Sequence, residues 1–193
     1  EYFACGRKFL MASGRTVEIV ALNSIMLQQY KDFEGHGYLS QGQLDFVAKQ
    51  MRWNEEESTS AIRIAVMHHH YLPTCLVEQI DASKASSVVY DAERLMRWME
   101  KYHVQILLHG HKHRSFAAAV GFPTTASEAE TCYDFMNSSQ IYVIGMGGTG
   151  ARSCENMYAI IHFLTTSVEM SFYQIFGDNS QNDRLLRTLH IDI

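Results

Sequence analysis

The chain reads as an α/β fold, a sheet flanked by helices, and three observations carry that expectation. Apolar, β-branched segments alternate with amphipathic helical stretches in the order strand, helix, strand, helix, strand. Two of those strands stop abruptly in histidine-rich text, at 68–70 and 109–113. The last third then carries further strand patterns with no helix between them.

Strand-like text begins at 7–11, and the first strong strand is 16–22, whose Thr, Val and Ile content suits a buried position before the polar stop at Asn23 and Ser24. Ser40 suits the N-cap of a helix over 42–53, with Leu44, Val47, Ala48 and Met51 spaced along one face. The run 61–67 predicts a strand that delivers His68, His69 and His70 at its C-terminal end. A second helix is expected over 87–102, with Val88, Ala92, Leu95, Met96 and Met99 as its apolar stripe and Glu93, Arg97, Glu100 and Lys101 wet. It leads to a strand at 104–108 that ends in His109, Gly110 and His111. After a polar loop at 124–131, strands are expected at 140–144, 158–164 and 168–175, followed by an exposed tail at 177–184 and a segment 185–193 without a clear pattern.

Bulk composition narrows the function classes. With 193 residues, 47% hydrophobic and 11% aromatic, the chain can bury a sizeable core as one domain. A formal charge of −5 supplies no basic field for a polyanion, so a phosphate-bearing substrate must be held locally, and a nuclease remains compatible only if metals do the holding. Cys5, Cys75, Cys132 and Cys154 form no CxxC pair, which points away from a disulfide framework and toward a reducing, cytoplasmic compartment. No run of about 18 apolar residues and no charged-then-apolar leader is present, so no membrane partner is expected. The acidic run Glu55, Glu56 and Glu57 reads as a solvated helix end.

Six of the ten histidines fall in the two clusters. Neutral imidazole ligates zinc, iron, manganese and nickel, and a strand end aims a ring from a rigid support. Gly110 permits a tight exit from its strand, after which His111 and His113, two apart in extended backbone, project to one side while Lys112 points away. His68, His111 and His113 are the expected metal ligands. His69 is the candidate for a catalytic role, and His70 for facing substrate. His36, His103, His162 and His190 read as ordinary surface residues, Tyr71 as a packing residue and Asn23 as a strand stop. The Gly145–Gly150 text satisfies GxGxxG, yet it lacks the following helix and ribose-binding acid of a dinucleotide site. Gly147 and Gly148 suit instead a loop wall whose backbone N–H groups touch substrate.

An apolar strand ending in histidine and soon followed by Pro73, then a helix, then an apolar strand ending in Gly110, His111, Lys112 and His113, resembles the last two metal motifs of calcineurin-like metallophosphoesterases. The Leu22, Asn23, Ser24 strand end, the run from Gly37 to Ser40 with Gln43 and Leu44 opening a helix, and the strand at 141–145 resemble the same family's C-terminal portion. The resemblance implies part of a four-layer β-sandwich flanked by helices that hydrolyses a phosphate mono- or diester. It also implies two divalent transition-metal ions (Mn, Fe or Zn) about 3.5–4 Å apart, clamping the phosphate and activating a water. By motif, His68 and His111 would bind the second metal and His113 the first.

The family's Asp-x-His, Gly-Asp-x-x-Asp and Gly-Asn-His motifs do not occur; the nearest text, Gly177, Asp178 and Asn179, lies at the wrong end of the chain. Three imidazoles alone carry too little negative charge to hold two divalent ions close together. The expectation is therefore that 1–193 is a single unit forming the C-terminal half of such a domain, with the N-terminal half, which supplies the remaining ligands, preceding Glu1 in a longer chain. The alternatives are a catalytically incomplete metal-binding or scaffolding domain, and a mononuclear zinc hydrolase using His68, His111 and His113.

Overall fold

The computed structural model describes residues 4–26, 36–53, 60–72, 88–111, 115–121, 140–149, 156–176 and 183–193. They form a mixed α/β arrangement of nine strands and two helices. In chain order the elements are β1 (Cys5–Leu10), β2 (Thr16–Ala21), α1 (Gln41–Gln50), β3 (Ile62–Met67), α2 (Ala92–Lys101), β4 (Ile106–His109), β5 (Phe116–Gly121), β6 (Gln140–Gly145), β7 (Met157–Phe163), β8 (Ser167–Gln174) and β9 (Arg184–Asp192). None of the described helices is long and apolar enough to cross a membrane.

Six strands make one sheet in the order β1-β2-β3-β4-β6-β5. The central four are mutually parallel, while β1 and β5 run antiparallel at the two edges. Parallel strands need crossovers, and α1 and α2 supply the first two. Both helices lie on one face, where Trp98 Nε1 donates to the Leu44 carbonyl at 3.1 Å. Leu44, Val47, Leu95 and Met99 pack there against Val20, Ala65, Leu107 and Val143 of the sheet. The opposite face, with Val17, Ile62, Ile64, Ile106 and Ile144, meets Val168, Met170, Phe172 and Ile191 of the antiparallel sheet β7-β8-β9. Burial on both faces is why β3 and β4 read as continuous apolar runs instead of alternating ones. Where the family resemblance implies four layers, the described residues make three: helices, six-stranded sheet, three-stranded sheet.

One charged residue interrupts the apolar run of β3, and the packing explains it. Arg63, 1% exposed, donates from Nε to Glu18 Oε2 at 2.8 Å and from Nη1 to the Tyr102 carbonyl at 2.8 Å. Trp53 Nε1 donates to the same Glu18 oxygen at 2.6 Å, and Lys8 Nζ reaches Glu18 Oε1 at 2.6 Å. Burial pushes the Glu18 carboxyl up, but the hydrogen bonds from Lys8, Arg63 and Trp53 outweigh it, and its pKa lies below the ordinary value. The network ties β1, β2, β3 and both helix ends together beneath the Trp53, Trp98 and Tyr102 rings.

Several expectations are corrected. The second helix starts at Ala92, not 87, because Val88 and Val89 are spent on backbone pairing with His70 and Gly37. The first helix ends at Gln50, and Arg52 just beyond it adopts a positive φ of 59° as the chain leaves the helix. Strand β5, Phe-Ala-Ala-Ala-Val-Gly, carries no strand signature because alanine favours helices; its pairing with β6 makes it a strand. Strand β9 was illegible because it lies at an edge, mostly exposed, and its register with β8 shifts between Phe172 and Tyr173. The polar loop 124–131 and Glu55, Glu56 and Glu57 lie outside the described residues, as do Cys75, Cys132 and Cys154; Cys5 is an exposed free thiol.

Candidate metal centre

The parallel strands β2, β3, β4 and β6 all point their C-terminal ends to one edge of the sheet, the edge at which open α/β sheets bind ligands. Asn23 and Ser24 leave β2 there, His68 to His70 leave β3, Gly110 and His111 leave β4, and Met146 to Gly148 leave β6. The two histidine clusters, 43 residues apart in sequence, meet because β3 and β4 are paired neighbours in which Met67 lies opposite His109.

His68, His69 and His111 converge so that one ring nitrogen from each lies within 4.8 Å of the others. His111 Nδ1 and His68 Nε2 are 2.7 Å apart, one donating to the other, and the two rings stand edge to face. His68 is exposed, His111 half-buried and His69 buried, so the group opens to solvent on one side only. The expectation of extended backbone at His111 is corrected: its φ is +74°, the left-handed region, which a non-glycine residue adopts at a cost of about 1–2 kcal/mol. That turn, with the Gly110 N–H donating to the His68 carbonyl at 3.2 Å, swings the His111 ring back over β3 instead of continuing the strand direction. His113 and Lys112 lie outside the described residues.

His69, expected as a catalytic candidate, is thus placed in the ligand-capable group. Its ring is held from below by Ser24, whose hydroxyl lies 2.9 Å from Nδ1 and accepts the His69 backbone N–H at 3.2 Å. Burial first, then the neighbouring His111, His68 and His36 rings, lower its pKa to about 4, so it is a neutral imidazole at pH 7. His70, expected to face substrate, is instead buried at 1% exposure, 4.6 Å from the His109 ring and stacked toward Phe116. It turns under the sheet edge because its carbonyl accepts the Val89 N–H at 2.9 Å. Burial likewise lowers His109 to about 4. Gly147 is pressed onto β7: a Cβ there would meet Met157 Cβ at 2.5 Å, so a packing constraint requires glycine, and Gly148 accepts the Met157 N–H at 2.8 Å.

Two residues escaped the sequence reading of the site. Ser24 passed for part of a strand stop, although it is the partner of His69. His36 passed for a surface residue, yet it is half-buried beside Tyr90, with ring centroids 4.4 Å apart, and close enough to repel a charge on His69. Neither had a local signal, since both contacts are long-range. His103, His162 and His190 are exposed, Tyr71 is core and Asn23 Oδ1 accepts the Ile25 N–H at 3.1 Å as a local stop.

Three imidazoles on neighbouring strand ends are a donor set that suits one borderline divalent ion such as zinc. No carboxylate or thiolate joins them among the described residues. A second ion held close by would need a bridging anionic ligand from elsewhere.

No protein-family model matches the chain, and no curated protein matches it. Among solved structures it is similar to Vps29 of Chaetomium thermophilum, at 8% identity over 91% of this chain and 97% of that one, with a TM-score of 0.35. It is also similar to a double mutant of Vps29 from Entamoeba histolytica, at 11% identity over 80% of this chain and 89% of that one, with a TM-score of 0.31. A likeness this slight leaves the reading of the centre to its own residues.

Proposed function

We propose that this chain carries the histidine side of the metal centre of a phosphoester hydrolase built on a calcineurin-like metallophosphoesterase fold. The observation that carries the reading is the convergence of His68, His69 and His111 at the C-terminal ends of adjacent parallel strands, with one face open to solvent. His68 and His111 would be ligands from the open side and His69 from the buried side. His113 and carboxylates from the remainder of the domain would complete the set. A divalent ion held there would supply Lewis acidity toward a phosphoryl oxygen and an acidified water. The chain's own contribution is to keep the His69 imidazole neutral: burial suppresses the protonation that would compete with metal. With a net charge of −5 the protein has no general attraction for polyanions, which favours a small phosphate ester gripped at the centre over a nucleic acid.

A second reading is favoured by the donor set itself. Three imidazoles, with no carboxylate beside them among the described residues, suit one ion, as in mononuclear zinc hydrolases, or a structural site in a domain that scaffolds partners. Metal analysis separates the readings: two ions per chain in the intact protein accord with the phosphoesterase, and one ion with the mononuclear site. His111→Ala should lower bound metal and abolish turnover of an aryl phosphate, whereas His162→Ala, on an exposed strand position, should change neither. Equal effects from the two substitutions would overturn the assignment.

A further inference from the structure

We propose that Ser24 is the positioning residue of the centre: it holds His69 with the ring proton on Nδ1, so that Nε2 keeps the lone pair for an ion shared with His68 and His111. The inference rests on the three-histidine reading above and assigns the group that orients its buried member.

Ser24 Oγ is buried and accepts the His69 backbone N–H at 3.2 Å, which uses one lone pair and fixes the oxygen relative to the ring. The same oxygen lies 2.9 Å from His69 Nδ1, and the tautomer of the ring sets which of the two donates. A neutral imidazole carries one proton, and the nitrogen that donates decides which nitrogen is left to ligate. With Nδ1–H directed at Ser24, Nε2 is the remaining donor atom. Metal-bound histidines commonly spend their other N–H on such an oxygen, which fixes both tautomer and ring orientation.

The backbone that carries the hydroxyl is itself clamped. Gln43, at the start of α1 and fully buried, grips Asn23 from both sides: its Oε1 accepts the Asn23 N–H at 2.5 Å and its Nε2 donates to the Asn23 carbonyl at 3.1 Å. The next carbonyl, that of Ser24, accepts the Tyr38 N–H at 2.9 Å. Gly37 leaves no slack at the root of the His69 side chain, since a Cβ there would sit 2.7 Å from His69 Cβ and 2.8 Å from Cγ. Helix α1, the end of β2 and the bridge at Gly37 therefore form a cradle with the ring inside it.

The test uses the full chain with zinc alone as the probe. Long-range 15N–1H spectra of the metal-free protein should show His69 protonated on Nδ1. Ser24→Ala should lose that preference and bind zinc about 10–100-fold more weakly in a chelator competition, while Ser24→Thr, which keeps the hydroxyl, should restore both. Protonation of His69 on Nε2 in the unsubstituted protein, or zinc affinity of Ser24→Ala within twofold of the parent, would overturn the proposal. If the unsubstituted protein bound no zinc, the functional reading would fall, yet the tautomer spectrum would still decide the role of Ser24. Should Ser24→Ala not fold, the parent spectrum and Ser24→Thr decide it.

Discussion

Adding one methyl group at Gly37 is the sharpest test of the cradle around His69. The Cβ of Gly37→Ala would lie 2.7 Å from His69 Cβ, 2.8 Å from His69 Cγ and 2.9 Å from Val89 Cγ2, where ordinary contact begins at 3.4 Å. Ring and backbone must therefore separate by about 0.7 Å, and none of these atoms is the free end of a flexible side chain. Overpacking of this kind costs about 1–3 kcal/mol. Because His69 Nδ1 is in hydrogen-bond contact with Ser24, the displacement should be taken up by the ring's position relative to His68 and His111. The expected outcome is a lower denaturation midpoint together with at least tenfold weaker zinc binding at pH 7. Gly14→Ala is the matched control: its φ of +82° makes alanine strained, by about 1 kcal/mol, but no atom lies within 4 Å of the added carbon. It should lose stability and keep its zinc affinity. If the two variants lose affinity equally, or if Gly37→Ala binds zinc as the parent does, the reasoning about the cradle is wrong.

Three other outcomes are expected. His69 and His109 have folded-state pKa values near 4, below the ordinary 6.5, so between those values the unfolded chain binds more protons and stability falls as pH drops. At about 1.4 kcal/mol per pH unit, each ring removes up to about 3 kcal/mol by pH 4, with no effect above about pH 7. Urea denaturation at pH 7, 6 and 5 measures this, and an unchanged midpoint would refute the burial argument. Arg63→Met should cost about 3 kcal/mol, because Glu18 stays buried with Lys8 and Trp53 as its remaining partners among the described residues, and adding Glu18→Gln should recover part of the loss in chemical denaturation. Gln43→Leu strips the Asn23 N–H and carbonyl of their partner and should cost about 2 kcal/mol while also weakening zinc binding, since Ser24 is the next residue; a variant as stable as the parent would show that the clamp is unimportant.

Legibility in the sequence followed the range of the interactions. The strands at 16–22, 61–67 and 104–108 and both helices were readable because burial on both faces, or on one helical stripe, writes a local pattern. Strands β5 and β9 were not, since Ala117 to Ala119 and the exposed Leu185 and Leu186 acquire strand geometry only from pairing with β6 and β8. At the site, His68 and His111 were legible as strand-end histidines. The different placements of His69 and His70 were not: they turn on the Ser24 hydroxyl beside the His69 ring and on the pairing of His70 with Val88, contacts made by residues 18 or more positions away.

By itself the sequence determined that strands and helices alternate, that two adjacent crossover units end in histidine and that the chain has no field for polyanions, because these depend on local period, composition and spacing. Only the tertiary structure decided that His68, His69 and His111 share one locus, that His70 and His109 are buried beside it, and that Ser24, Gln43 and Gly37 pack around the buried ring. The parallel pairing of β2, β3 and β4 is what brings these distant positions to one sheet edge. That juxtaposition follows from burying the two faces of the sheet together, a property of no single segment.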